Sequence, residues 1–390
     1  MIDRRQFLAG STQLALLAGL PGLARAQDIH DARFVFVILR GGMDGLSAVP
    51  PYAEPQYDRL RGPLAIGTDE LQKLDGTFGL HPALSNMHSM YQAGDLAVLH
   101  AVATPYRERS HFDGQNVLEN GTEQPGGLRD GWLNRAVGHD LPSRSAIALS
   151  QNIPLVLRGD VSVTSWAPSR LPEADDDTLS RLAELYANDS HLAARLEEAM
   201  AARELAGDMR GGRNNRAGQL GPIIAAAGRF LSAPDGPRIA VLETGGWDTH
   251  ANQGAAQGLL ATRLRGLDQG MAALKRELGD VWIKTVVVVA TEFGRTVAVN
   301  GTRGTDHGTA GCAFVAGGAV QGGRVIADWP GLADRDLYEA RDLKPTLDLR
   351  SAFKGVLSEH FEATNEELDR HIFPGSDDLT PLEGLIRTTA

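Results

Sequence analysis

The six residues Thr285–Ala290 (TVVVVA) constrain the fold of this chain more than any other stretch. A β-branched run with no polar alternation fits a strand covered on both faces, as in a parallel sheet enclosed by helices. Phe34–Leu39 (FVFVIL), Leu96–Val102 (LAVLHAV) and Ile239–Leu242 have the same character. Ala146–Leu149 and Pro154–Leu157 are shorter strand candidates. Helical spacing runs from Thr178 to about Ala206, and a second helical stretch reaches about Leu231. Leu259–Leu278 is clearly amphipathic, and Asp348–Phe361 also reads as a helix. Strand, loop and helix alternate, which predicts an α/β chain with an open, mainly parallel sheet and helices on both faces. Without an internal repeat or a long low-complexity linker, residues 27–390 read as a single domain, with a helical insertion around 175–232.

The first 26 residues read as something other than fold. Arg4-Arg5 precede a mild apolar stretch, Phe7 to Leu23, interrupted by Gly10, Gly19 and Gly22 and closed by Ala24-Arg25-Ala26. That is the pattern of a twin-arginine signal peptide, which predicts a periplasmic or secreted protein handled by the twin-arginine translocase. The stretch is short and glycine-interrupted, which argues against a stable membrane anchor. Hydrophobic residues at 42% and charged residues at 22% exclude bulk disorder. A net charge of −11, with no basic patch, argues against nucleic acid as a partner. The lone Cys312 excludes an internal disulfide and reads as a small buried hydrophobe in GTAGCAFVAGG.

The polar residues gather in one kind of place. Asp44 follows the first strand; Ser110, His111 and Asp113 follow the second. Asp248 and His250 (TGGWDTH) follow the strand at 239–242. Glu292 and Arg295 (TEFGR) follow Thr285–Ala290, with Asp306-His307 shortly after. Open α/β sheets bind ligands at this carboxyl edge. Carboxylates mixed with imidazoles suit a divalent cation, zinc first, with calcium, magnesium or manganese favoured by oxygen-rich sets. The candidate ligands are Asp44, Asp248, His250, Glu292 and His307. Asp248 has a second reading, as cap of a helix beginning near Thr249. Ser110 precedes an apparent helix, FDGQNVLENG, so it is either an N-cap or a nucleophile beside a metal. Arg40 and Arg295 either neutralise a substrate oxyanion or pair with the carboxylates.

Taken together, LRGGMDGLSAVPPY, RSHFDGQNVLENG, GWLNRA, TGGWDTH, ATEFGRT, GTDHG, GGRVIADWPGL and TLDLRSAF, behind a twin-arginine leader, resemble one secreted bacterial family over about residues 31–375. It is domain-of-unknown-function family 1501, whose core resembles the alkaline-phosphatase-like and sulfatase superfamily. The resemblance implies an α/β/α sandwich with metal ligands at the strand ends. It makes Asp44 the first metal aspartate, Ser110 the nucleophile, Asp248 and His250 a pair on one metal, and His307 the final metal histidine. Glu292-Phe293 stands where catalytic members commonly carry Asp-His, and a phenyl ring cannot ligate. Two functions follow as expectations. One is a metal-dependent hydrolase of phosphate or sulfate esters, with Ser110 as nucleophile and Arg295 stabilising charge. The other is a non-catalytic protein binding metal, a small anionic ester or a saccharide in the same pocket.

Overall fold

The computed structural model describes residues 31–139, 146–168, 176–206 and 220–387, so the segment 1–26 lies outside the described residues. The strands are β1 (Arg33–Leu39), β2 (Gln72–Lys73), β3 (Gly79–Leu80), β4 (Leu96–Ala103), β5 (Ala146–Ala148), β6 (Thr164–Ser165), β7 (Ile239–Thr244), β8 (Thr285–Ala290), β9 (Gly311–Ala316), β10 (Arg324–Ile326) and β11 (Leu347–Asp348). Nine of them form one sheet in the order β10-β4-β9-β8-β1-β7-β5-β6, with β11 also pairing β4. β2 and β3 make a separate antiparallel pair.

The sheet is mainly parallel, as the apolar runs predict. β1 lies parallel between β7 and β8, with Val35 opposite Ala240 on one side and Val287 on the other. β9 is the exception, antiparallel to both β4 and β8. Two antiparallel pairings in succession leave β4 pointing the same way as β8 and β1. The carboxyl ends of β1, β4, β7 and β8 therefore open on one edge.

Alternation along β1 divides the core into two. Val35, Val37 and Leu39 face a cluster that includes residues of helices Ser85–Gln92, Leu220–Ser232 and Leu259–Leu278. Phe34, Phe36 and Ile38 face the other cluster, which holds Trp132, Phe353 and Leu357 from helices Trp132–His139 and Leu349–Phe361. The result is a three-layer α/β/α sandwich whose central strand is apolar on both faces because both faces are covered.

Two local expectations change. Residues 154–157 form no strand: Leu155–Leu157 is a 3-10 turn in which the Leu157 amide donates to the Pro154 carbonyl at 3.0 Å. Pro154 has no amide hydrogen to give a ladder. In the region expected as an insertion, helices Asp176–Tyr186 and Ser190–Ala206 expose Leu185, Leu192 and Met200, whereas Leu220–Ser232 buries Ile224, Ala227 and Phe230 in the core. No helix among the described residues is long and apolar enough to cross a membrane.

Candidate metal centre

Three loops deliver imidazoles to one point on that edge. The segment after β4 passes Ser110 and enters helix His111–Asn120. The loop after β7 carries Asp248 and His250, and the turn after β8 brings His307 back beside Arg295 in an isolated bridge. Closure requires a bare backbone at Gly41, after β1. Its φ is +124°, and a Cβ there would stand 2.6 Å from the Asp248 amide nitrogen.

Ligand atoms of His111, Asp248 and His307 all lie within 4.8 Å of one another. His250 joins them: its Nε2 is 2.9 Å from Asp248 Oδ1 and 3.0 Å from His307 Nε2. His307 Nε2 is 3.3 Å from Asp248 Oδ1, and His111 Nε2 is 3.4 Å from Asp248 Oδ2.

Each imidazole is fixed from behind by its other nitrogen. His111 Nδ1 donates to Glu292 Oε1 at 2.7 Å, His250 Nδ1 to Asp306 Oδ1 at 3.2 Å, and His307 Nδ1 to the Arg109 carbonyl at 2.9 Å. An acceptor on Nδ1 places the proton there and leaves Nε2 with its lone pair facing inward. The buried His111 Nε2 has no hydrogen-bond partner. His250 Nε2 and His307 Nε2 stand 3.0 Å apart, so either one of them carries a proton or a cation lies between them. His111, Asp248 and His307, with His250 beside the last two, fit a divalent cation.

The charges around the centre treat the imidazoles differently. The hydrogen bond to Glu292 raises the His111 imidazole above its ordinary pKa against the pull of burial, which favours a protonated form that a cation would have to displace. Burial lowers His307, aided by the positive charges of His111 and Arg295, and so favours its neutral, ligating form. Burial pushes the Asp248 carboxyl up, but Arg295, His250 and His111 outweigh it and hold the group below the usual carboxylate range.

Of the residues expected as ligands, Asp248, His250 and His307 come together here. Asp44 does not. It is fully buried, paired with Arg61, and hydrogen-bonded to Gln253 Nε2 at 2.6 Å and to the Ser47 hydroxyl at 3.0 Å. Its charge is met by Arg61 and it stands outside the imidazole cluster. Glu292 likewise lies outside the cluster, behind His111. Its Oε1 accepts from His111, from Gln115 at 3.1 Å and from the Gly41 amide at 2.8 Å, which makes it the orienter of His111.

Arg295 is not free to stabilise a transferring group. Its buried guanidinium donates to Asp248 Oδ1 at 2.5 Å and to both the hydroxyl and the carbonyl of Thr305, so it positions a ligand. Arg40 is spent similarly, on Glu243 and on Glu119 at 2.9 Å. Ser110 occupies the N-cap position of helix His111–Asn120, yet its side chain makes no capping bond. Asp248 caps nothing, since 245–250 has no helix. Phe293 packs its ring on His111 and His307, with centroids 4.9 and 5.2 Å apart, and so fixes the two ligands by contact.

Sequence reasoning misses His111 as a ligand. Its signal is present, a histidine next to Ser110 in a strand-end loop, but its facing toward Asp248 exists only in the fold. Arg61 gives no signal at all.

Solved structures similar to this chain include the C-terminal periplasmic domain of EptC from Escherichia coli in complex with zinc, at 10% identity and a TM-score of 0.35, covering 73% of this chain and 72% of that one. Alkaline phosphatase from the Antarctic bacterium TAB5 matches at 12% identity and a TM-score of 0.39, covering 73% and 91%. Ps i-CgsB in complex with a neocarrahexaose matches at 9% identity and a TM-score of 0.43, covering 87% and 74%. No curated protein sequence matches significantly. The family described as "Protein of unknown function (DUF1501)" matches residues 31–372, and the chain belongs to it.

Proposed function

We propose that this chain is an exported, metal-dependent hydrolase of phosphate or sulfate esters, with one zinc ion held by His111, Asp248, His250 and His307. The observation that carries the reading is the inward convergence of three Nε2 lone pairs on one carboxylate, each imidazole anchored outward. Nitrogen-rich sets of four suit zinc, whereas calcium and magnesium want more oxygens. When bound, the ion supplies Lewis-acid polarisation of an ester oxygen and lowers the pKa of a nearby hydroxyl.

The remaining work falls to this chain's own groups. Ser110 lies between Arg109, whose carbonyl holds His307, and His111 itself, and its hydroxyl is not consumed as a cap. Its Oγ attacks the phosphorus or sulfur. The Oγ–P or Oγ–S bond forms, the bond to the leaving oxygen breaks, and that oxygen receives the proton Ser110 gives up. Water then displaces Ser110, releasing phosphate or sulfate and restoring the hydroxyl. The first amides of helix His111–Asn120 take no side-chain cap and are available to the transferring group's oxygens. The substrate is a small anionic ester. Carriage across the membrane by the twin-arginine translocase, before residue 27 becomes the amino terminus, rests on Arg4-Arg5 and Ala24-Arg25-Ala26.

A second reading, binding of metal or a saccharide without turnover, is favoured by one observation. Arg40, Arg109 and Arg295 are all committed to carboxylates. The test is zinc-loaded protein against a panel of activated phosphate and sulfate esters, with Ser110→Ala beside wild type. Turnover lost in Ser110→Ala, with zinc content and melting curve unchanged, supports hydrolysis. Zinc-loaded wild type inactive across the panel leaves the binding reading.

A further inference from the structure

We infer that Arg109 is the positioning residue of the centre: its strained backbone, clamped through its own side chain, sets the tautomer of His307 and the place of Ser110. Arg109 has φ +62°, a left-handed conformation that only glycine adopts freely. In that conformation its carbonyl accepts from His307 Nδ1 at 2.9 Å. The amide of the next residue, Ser110, donates to the Tyr106 hydroxyl at 3.3 Å, and that hydroxyl donates to Asp113 at 3.2 Å. One peptide unit thus connects a candidate ligand on one side to the candidate nucleophile on the other.

A conformation of this kind persists only where its surroundings over-determine it, and the clamp is visible. Arg109 Nε donates to Asp342 Oδ2 at 2.8 Å, and its terminal nitrogen to Glu339 Oε2 at 2.5 Å. Asp342 is wholly buried, and it lies in a tight turn closed by the Tyr338 amide donating to the Asp342 carbonyl at 2.9 Å. That turn is tied back to the centre by the bridge between Asp342 and Thr296, the neighbour of Arg295. Asp342 keeps a second cation, Arg341 at 3.1 Å, so loss of Arg109 does not leave its buried carboxylate alone. Among the described residues no hydrogen bond joins the guanidinium to an imidazole, and its tie to His307 runs through its own backbone carbonyl.

The inference rests on the metal reading for affinity but not for the tautomer, and the experiment keeps them apart. In metal-free protein, 15N imidazole shifts report which nitrogen of His307 carries the proton. Wild type is expected to hold it on Nδ1. Arg109→Ala and Asp342→Asn should both show a mixture, and Arg109→Lys should recover part of the wild-type signal through its remaining charge. Arg109→Gly separates the backbone from the clamp, because glycine permits the conformation without enforcing it, and should fall between Ala and wild type. Zinc affinity by chelator competition should drop about 10- to 100-fold in Arg109→Ala, the usual effect of losing an outer-shell partner. A His307 held on Nδ1 as firmly in Arg109→Ala as in wild type overturns the inference, whatever the zinc result. Wild type that takes up no zinc overturns the metal reading, and the tautomer still judges Arg109.

Discussion

Glu292→Gln tests the assignment of Glu292 as orienter. The carboxylate is fully buried and accepts four hydrogen bonds, three at Oε1 and one at Oε2 from the Thr291 hydroxyl at 2.9 Å. Glutamine can keep the whole set. Its carbonyl oxygen takes the three donors, and its amide donates to Thr291 Oγ1, whose own hydrogen turns to the Leu39 carbonyl at 2.7 Å. The substitution therefore removes charge without removing contacts. Bonds to a charged group contribute about 1.5–3 kcal/mol and neutral ones about 0.5–1.5, so weakening the three donors on Oε1 costs about 3 kcal/mol in metal-free Glu292→Gln, offset in part because a neutral amide is cheaper to bury than a charge. His111 loses the partner that raises its basicity, and zinc affinity should fall about 10- to 100-fold, or about 1.4 to 2.7 kcal/mol at ~1.36 kcal/mol per decade. Glu292→Ala is the contrast. It leaves the His111, Gln115 and Gly41 donors without an acceptor, at about 1–3 kcal/mol each, and should damage the fold as much as the site. Chelator competition gives the affinity, and melting with and without chelator gives the stability. Glu292→Gln that binds zinc as tightly as wild type refutes the orienting role. A mutant that loses zinc entirely, as a ligand mutant would, refutes the exclusion of Glu292 from the ligand set.

Two further outcomes separate structure from site. Asp44→Asn should cost about 3–5 kcal/mol, because it strands the buried Arg61 charge, while zinc per folded chain stays as in wild type; zinc lost in step with Asp44 would restore it as a ligand. Arg4→Lys with Arg5→Lys should leave the protein folded in the cytoplasm, read by fractionation, and a double variant exported at the normal rate would remove the twin-arginine reading.

How far the chain could be read in advance depended on how local each cause is. Thr285–Ala290 and Leu259–Leu278 emerge with the expected boundaries because a buried strand and an amphipathic helix announce themselves by their own periodicity. β9 does not, since GCAFVA among glycines carries neither period nor length, and its antiparallel direction is decided by β4 and β8. The edge where chemistry collects is legible for the same reason as the strands: parallel strands must end together. Which carboxylate does what at that edge is not legible. Asp44, Asp248 and Glu292 stand in similar loops, yet the first is closed off by Arg61, 17 residues away, and the third by donors from two other segments, Gly41 and the helix that carries His111 and Gln115. Asp248 alone keeps a side chain 38% exposed, with oxygens turned to the imidazoles. A fully buried carboxylate must find its counter-charges and donors inside the protein, and those partners hold Asp44 and Glu292 away from the imidazole cluster. The distinction between ligand and support is thus a consequence of burial. Burial at a loop is set by what the other loops bring against it, here Arg61, Gln253 and the helix that begins at His111.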